Sequence, residues 1–321
     1  MTLSAEQLRV RAGRFLVDGA WNVLARGSRL LPIARPERHG VVCNYDVPYV
    51  DSGERHHLLD VYRKARGQTA APVVLYIHGG GFRILSKDSH WGMGLAYARR
   101  GYVVFVVNYR LAPVHRYPAA VEDVAMALQW VHRHAHAYGG DATRIVLAGE
   151  SAGANLVTSL AVATSYCRSE PFARELFDGG IGLRAVIAKC GMHQVSDPQR
   201  FIRRKQLPRF IRDRILEVSQ SYLPNVPVPD GYLDFADPVV FLERGVAPEK
   251  PLPPFFSSAG TKDPILDDTR RLHAALTRLG VRSEARYYEG EPHAFQALHF
   301  TPNARKYWRQ MFAFLDEVLA D

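Results

Sequence analysis

Arg144-Ile145-Val146-Leu147-Ala148-Gly149-Glu150-Ser151-Ala152-Gly153 is the stretch whose reading decides the fold. A short apolar run leads into a turn with a serine at its apex, and a helical stretch from Ala152 to Thr164 follows. In a strand, sharp turn and helix of this kind the serine sits in strained backbone geometry. The strand and helix also pack closely, so the residues on both flanks must be small. A chain of this length contains G-x-S-x-G by chance about one time in ten, so context decides. Upstream, His78-Gly79-Gly80-Gly81 follows a second apolar run, Val73-Val74-Leu75-Tyr76-Ile77. A glycine-rich loop beside such an elbow reads as an oxyanion hole.

Outward from this centre, apolar and amphipathic segments alternate. Strands are predicted at 58–62, 73–77, 102–107, 144–148, 184–189, 255–259 and 284–288, and helices at 91–100, 119–137, 152–164, 267–279 and 303–319. In the second helix Val121, Val124, Ala125, Leu128 and Val131 fall at helical spacing, and Gly139-Gly140 ends the run. Continuous apolar strands between amphipathic helices predict an α/β protein with a mostly parallel sheet covered on both faces. Residues 8–31 show a looser helical periodicity, ended by Pro32 and Pro36. The alternation breaks between about 194 and 245, a stretch rich in proline, aromatics and arginine that includes Arg203-Arg204-Lys205. An insertion there, after a sheet strand, would cover the carboxyl ends of the strands, where ligands bind in such sheets.

The 321 residues suffice for a large core. The longest apolar runs are far below the roughly 18 residues of a membrane span, and charges interrupt the N-terminal segment where a signal-peptide core would lie. Cys43, Cys167 and Cys190 do not make a disulfide framework, which points to a reducing cytoplasm. The net charge of +9 comes from basic residues spread along the chain with no nucleic-acid motif, so no nucleic-acid partner is expected. His132, His134 and His136 lack the glutamate of an H-E-x-x-H arrangement, and no metal is assigned to them.

A serine hydroxyl is a weak nucleophile until a base takes its proton, and an acid must hold that base in the correct tautomer. On a strand-turn-helix elbow the partners follow in the order serine, acid, histidine. Asp263, in Gly260-Thr261-Lys262-Asp263-Pro264, lies just past the strand at 255–259 and is the best acid. Asp267 and Asp268 fall where a helix starts and suit capping. His293, in Glu291-Pro292-His293-Ala294-Phe295 after the strand at 284–288, is the best base, with His299 its rival. His273 lies mid-helix and reads as a surface residue.

With these motifs in hand, the chain resembles the hormone-sensitive-lipase group of α/β-hydrolases, bacterial carboxylesterases with an H-G-G-G motif. The resemblance runs through His78 to Phe82, Asn108-Tyr109-Arg110-Leu111-Ala112-Pro113, Tyr117-Pro118-Ala119, Gly149 to Gly153, Asp263 to Asp267 and Pro292 to Phe295, and covers roughly residues 55–320. It implies an α/β-hydrolase fold with a mostly parallel eight-stranded sheet and a helical cap. The cap would comprise residues 1–45 and 194–245, the core residues 46–193 and 246–321. It further implies Ser151 as nucleophile, His293 as base and Asp263 as orienting acid, with backbone amides of Gly80, Gly81 and Ala152 as the oxyanion hole. The substrate would be a small ester of a short- to medium-chain acid, with no cofactor or metal needed, and Phe82, Trp91, Glu150 and cap aromatics are candidates to line its pocket. The residue before the serine is commonly Asp or Thr in this group and is Glu150 here, which leaves its role open between local hydrogen bonding and an effect on pH dependence.

An amidase or arylformamidase could use the same triad. A ligand receptor on this fold, as in plant gibberellin receptors, would lack the histidine that His293 supplies. A dinucleotide-binding domain would need G-x-G-x-x-G after the first strand, which Gly79-Gly80-Gly81 does not provide. A homodimer through an exposed sheet edge is one assembly such a sheet allows, and no stable membrane insertion is expected.

Overall fold

Residues Val73 to Ile77 show how the sequence builds the centre of the molecule. All five are fully buried, and alternate residues enter different cores: Val73, Leu75 and Ile77 on one face, Val74 and Tyr76 on the other. A strand covered on both sides has no solvated face and therefore no polar alternation. The computed structural model describes Gly19 and residues 27–66, 69–204 and 206–320. The periodicity read over residues 8–31 lies largely outside these, as does Lys205.

Among the described residues eight strands form: β1 (Val41–Pro48), β2 (Leu58–Lys64), β3 (Ala71–Ile77), β4 (Val103–Val107), β5 (Gly140–Glu150), β6 (Leu183–Lys189), β7 (Phe255–Gly260) and β8 (Ser283–Tyr288). They form one sheet in the order β1-β2-β4-β3-β5-β6-β7-β8. β1 and β2 pair antiparallel, β2 pairs antiparallel with β4, and the rest of the sheet is parallel. On one face lie α1 (Trp91–Arg99) and, at the end of the chain, Pro302–Val318. The other face carries α2 (Ala119–His134), α3 (Ala152–Ser165), α4 (Pro171–Asp178) and a helix at Leu266–Arg278. Every residue of α3 is buried, because α2, α4 and the sheet surround it.

Two elements escape the sequence pattern. β1 is an edge strand, largely exposed and with a register shift between Asn44 and Val47, so it lacks the apolar run that marks a buried strand. It begins at Val41, so the sheet starts four residues before the boundary drawn at residue 45. α4 buries only Ala173 and Leu176, too few positions to show a period.

The stretch at 194–245 folds as α5 (Gln199–Arg204), α6 (Arg209–Tyr222) and α7 (Pro238–Glu243), after which come α8 (Leu266–Arg278) and α9 (Pro302–Val318). α6 packs on the glycine-rich loop: the Tyr222 ring stacks on Phe82 with centroids 3.8 Å apart, and Tyr222 O accepts from Tyr117 N at 2.8 Å. Arg116 donates to Gln220 O and Leu223 O, and Tyr117 Oη to Tyr232 O, which fixes the far end of α6. Asp268 does not cap α8 but lies fully buried, accepting from Arg200 Nη2 at 2.6 Å and from Gln194 N at 3.0 Å. It thereby ties the insertion to the core.

A buried ion pair joins the sheet to the segment before α1. Lys87 Nζ lies 2.7 Å from Asp60 Oδ1 and 2.7 Å from Asp46 Oδ1, with the Asp60 side chain fully buried. Removing one partner strands a buried charge, which typically costs about 3–5 kcal/mol. Arg29 Nη2 remains 3.5 Å from Asp60, which reduces the loss. Lys87→Met is therefore expected to destabilise the fold by about 3 kcal/mol in urea unfolding; a midpoint equal to that of the parent chain would show the pair to be idle.

Candidate active site

At the end of β5 the chain turns through Ser151 at φ 54° and ψ −116°. A non-glycine residue there stores about 1–3 kcal/mol of strain, and such residues persist only where the surroundings over-determine them. Here Ser151 N donates to Lys189 O at 2.8 Å, and Ser151 O accepts from Ala154 N and Asn155 N as α3 begins. The small flanks are required by contact. A Cβ on Gly153 would lie 2.1 Å from Ile77 O, so any side chain there would push α3 away from β3.

The loop after β3 comes to the same place. A Cβ on Gly79 would sit 3.0 Å from Glu150 O and 3.4 Å from Ser151 Cβ. Gly80 adopts φ 107°, and a Cβ there would meet Ile84 O at 2.1 Å, so the loop can turn in this way only with glycine. His78 anchors the loop from below. Its ring stacks on Tyr109 at 4.3 Å, its Nδ1 bonds to Gly79 O at 2.7 Å, and Tyr109 Oη donates to His78 O at 3.0 Å. Burial lowers the pKa of His78 to about 3, so the ring is neutral and serves as scaffold. Among the described residues, no turn or cap bond within the backbone consumes the N–H of Gly80, Gly81 or Ala152.

Asp263 and His293 arrive from the loops after β7 and β8. Those loops are joined by Thr261 N to Tyr288 O at 2.9 Å and Lys262 N to Glu291 O at 3.0 Å. Asp263 is fully buried; its Oδ1 accepts from Ile265 N and its Oδ2 lies 2.9 Å from His293 Nδ1. The His293 side chain keeps 34% of its surface exposed. Burial would lower the pKa of this histidine, but the Asp263 carboxylate outweighs that and holds it well above 6.5. Of the rivals, His299 stacks on Trp308 at 5.0 Å, Asp267 pairs with Arg270, and His273 bonds Ser283 Oγ instead of standing free at the surface.

The pocket candidates scatter. Phe82 is fully buried under Tyr222. Trp91 sits at the start of α1, packed with the core of the opposite face, and its Nε1 donates to Ser28 Oγ at 2.9 Å. Glu150 points inward: its Oε1 is 3.1 Å from His90 Nε2 and its Oε2 accepts from Gln296 Nε2 at 3.1 Å.

Sequence reading missed three neighbours. Cys190, at φ 41° directly after β6, places its Sγ within 4.8 Å of ligand atoms on both Asp263 and His293. Gln296, in the short 3-10 turn Phe295–Ala297, also reaches Cys190 Sγ at 3.7 Å. His90 comes from the far side of the sheet. The one available signal was position: Cys190 and Gln296 each lie within three residues of a strand end or candidate residue on a topmost loop.

A family description of the alpha/beta hydrolase fold matches residues 74–297. The carboxylesterase NlhH of Mycobacterium tuberculosis is 33% identical over 217 residues, covering 66% of this chain and 63% of that protein. Esterase LipI of the same organism is 31% identical over 225 residues, 68% of this chain and 63% of the relative. The chain thus spans less than two thirds of the length of these curated relatives. An esterase structure from Pyrobaculum calidifontis aligns with a TM-score of 0.74 at 26% identity, over 94% of this chain and 92% of that one. Esterase LipW from Mycobacterium marinum, at 23% identity and a TM-score of 0.77 over 100% of this chain and 92% of its own, shares the fold. Matched over its elbow, its glycine-rich loop and its base-bearing loop alike, the chain belongs to the α/β-hydrolase family, in the hormone-sensitive-lipase-like group that its H-G-G-G and G-x-S-x-G motifs resemble.

Proposed function

We propose that this protein is a serine carboxylesterase acting on small esters of short- to medium-chain acids. Ser151 is the nucleophile, His293 the base, Asp263 the orienting acid, and Gly80, Gly81 and Ala152 supply the oxyanion-hole amides. The observation that carries the reading is the 2.9 Å contact of His293 Nδ1 with Asp263, on a loop joined to the strained Ser151 elbow. With Nδ1–H held by the carboxylate, the other ring nitrogen, Nε2, is the acceptor for a serine proton. Ser151 Oγ attacks the ester carbonyl as its proton passes to His293, and the oxyanion forms against the three amides. His293 then protonates the leaving alcohol, and water enters by the same route to release the acid. Losing one oxyanion donor typically costs about 10²- to 10³-fold in rate.

The esterase names of NlhH, LipI and the Pyrobaculum enzyme support ester over amide substrates. The segment before β1 and residues 194–245 act as a cap, and the seating of α6 on Phe82 and Gly81 supports the second segment in that role. Tyr222 fills space beside the glycine-rich loop, which favours short acyl groups. No described helix is long and apolar enough to cross a membrane. Three free cysteines favour a reducing compartment such as the cytoplasm.

The test is hydrolysis of p-nitrophenyl esters from acetate to palmitate. Rates that peak at short chains are expected. A maximum at palmitate would overturn the acyl range, and no hydrolysis of any ester by the folded protein would return an amidase to first place.

A further inference from the structure

Glu150 is a buried carboxylate beside the nucleophile elbow. It is 8% exposed, immediately precedes Ser151, and meets groups from three separate elements. His90 Nε2 approaches from the segment before α1 at 3.1 Å, Gln296 Nε2 from the 3-10 turn after His293 at 3.1 Å, and Lys189 Nζ from β6 at 3.9 Å. Gln296 is itself held, since its main-chain carbonyl oxygen accepts from Trp308 Nε1 of α9 at 3.1 Å and its side-chain amide also reaches Cys190 Sγ at 3.7 Å. A continuous chain of contacts therefore runs from α9 through the base-bearing loop to the residue before the nucleophile.

We propose that Glu150 is a positioning residue for the acyl-transfer site, a buried anion that tethers the His293 loop to the Ser151 elbow through Gln296 and stabilises the imidazolium formed during catalysis. The inference rests on the serine-hydrolase reading above for the meaning of that imidazolium. The tether itself stands on the hydrogen bonds. A buried carboxylate accepting two side-chain bonds holds both partners more tightly than a neutral group, because charge-assisted bonds are shorter and stronger. Its charge also acts across a region with little water to screen it.

Whether Glu150 carries that charge follows from its surroundings. Burial opposes ionisation, but the His90 bond and the fields of Lys189, His90 and His293 outweigh it and hold the carboxyl down at about 2. Tyr76, Tyr97 and Tyr307 face it from β3, α1 and α9, and burial raises all three, so they stay uncharged. His78 is neutral, as above, and burial likewise lowers His299, so neither adds a cation. Lys189 is the opposing cation. Its Nζ bonds Tyr76 Oη at 3.0 Å, and burial lowers its pKa. On the His293 side stand the Asp263 carboxylate and the Cys190 thiol.

A negative charge near His293 favours its protonated form, so removing the Glu150 charge lowers the His293 pKa and moves the acid limb of kcat/KM to lower pH. Removing the Lys189 charge does the opposite. The experiment uses the full chain with Glu150→Gln, Lys189→Met and Gln296→Met, measuring kcat and KM for a p-nitrophenyl ester across pH. In parallel, His293 is titrated by NMR of histidine Cε1–H, assigned with His293→Asn. For Glu150→Gln, kcat on the pH plateau is expected to fall about tenfold with KM nearly unchanged, and the His293 midpoint to drop by about one pH unit. Lys189→Met should raise that midpoint. Gln296→Met should lower kcat while moving the midpoint little, since the charge stays.

Unchanged kcat and an unmoved midpoint in Glu150→Gln would overturn the proposal. If that variant does not fold, an unmoved midpoint in Lys189→Met would overturn it instead. A parent chain without esterase activity would sink the functional reading alone, because the NMR titration still reports whether Glu150 acts on His293.

Discussion

Ser151→Ala is expected to lower kcat/KM for a short p-nitrophenyl ester by about 10⁵- to 10⁶-fold, the loss seen when a triad serine is removed. Stability should hardly move. Alanine keeps the Cβ that makes φ 54° costly, so the strain of the elbow remains, and the backbone bonds to Lys189 O, Ala154 N and Asn155 N do not involve the side chain. The loss would therefore be chemical. A fluorophosphonate probe, which needs an activated serine, should add its mass to the parent chain and not to the variant. Labelling of Ser151→Ala, or activity within about tenfold of the parent, would show that another residue attacks the substrate.

Asp263→Asn is the second large effect, at about 10⁴-fold in kcat, because an amide at that position permits the wrong imidazole tautomer. The introduced amide would present either an oxygen that no longer carries charge or an NH₂ that opposes Nδ1–H. The pH dependence should change as well. In the parent chain the acid limb of kcat/KM lies above pH 6.5, since His293 must be neutral to act as base and Asp263 holds its pKa up against burial. Without the carboxylate that support is lost, and the residual activity should persist to lower pH. Stability follows the same linkage. A histidine whose folded pKa is raised contributes stability that is fully present below its unfolded value near 6.5 and lost as pH rises through the folded value. The parent should therefore lose this increment on the alkaline side and the variant should not. Thermal unfolding at pH 6 and pH 9 checks it: an equal pH response in both proteins would mean the pair is not coupled to folding.

Glu150 works with the opposite sign and over a different range. Its pKa is lowered to about 2, so its stabilising contribution is present above the unfolded carboxylate value near 4.5 and is lost only as pH falls toward 2. Across the working range of an esterase it stays ionised. Asp263 and Glu150 thus hold the His293 loop at two points, one bonded to Nδ1 and one tied through Gln296 to the turn that follows His293.

Much of this was legible in the chain itself, for a local reason. The strand runs at 73–77 and 144–148 announce themselves because both faces are buried, so nothing polar interrupts them. The elbow at 149–153 is legible because contact with Ile77 O leaves no room for a side chain on Gly153. The order serine, acid, histidine, combined with strand ends, pointed to Asp263 and His293 in a chain with 13 histidines, and the fold places their side chains 2.9 Å apart.

What only the tertiary structure decided depends on residues far apart in sequence. β1 joins the sheet by pairing with β2, though its own exposed pattern carries no periodic signal. Asp268 looks like a helix cap in one dimension and becomes a buried anchor for the insertion once Arg200 and Gln194 are brought to it. Glu150 and Gln296 are 146 residues apart, His90 and Glu150 are 60 apart, and Cys190 lies beside His293 from a different strand. Periodicity and spacing report the backbone's local choices. The electrostatic surroundings of the candidate base are a sum over groups that only the folded sheet places together.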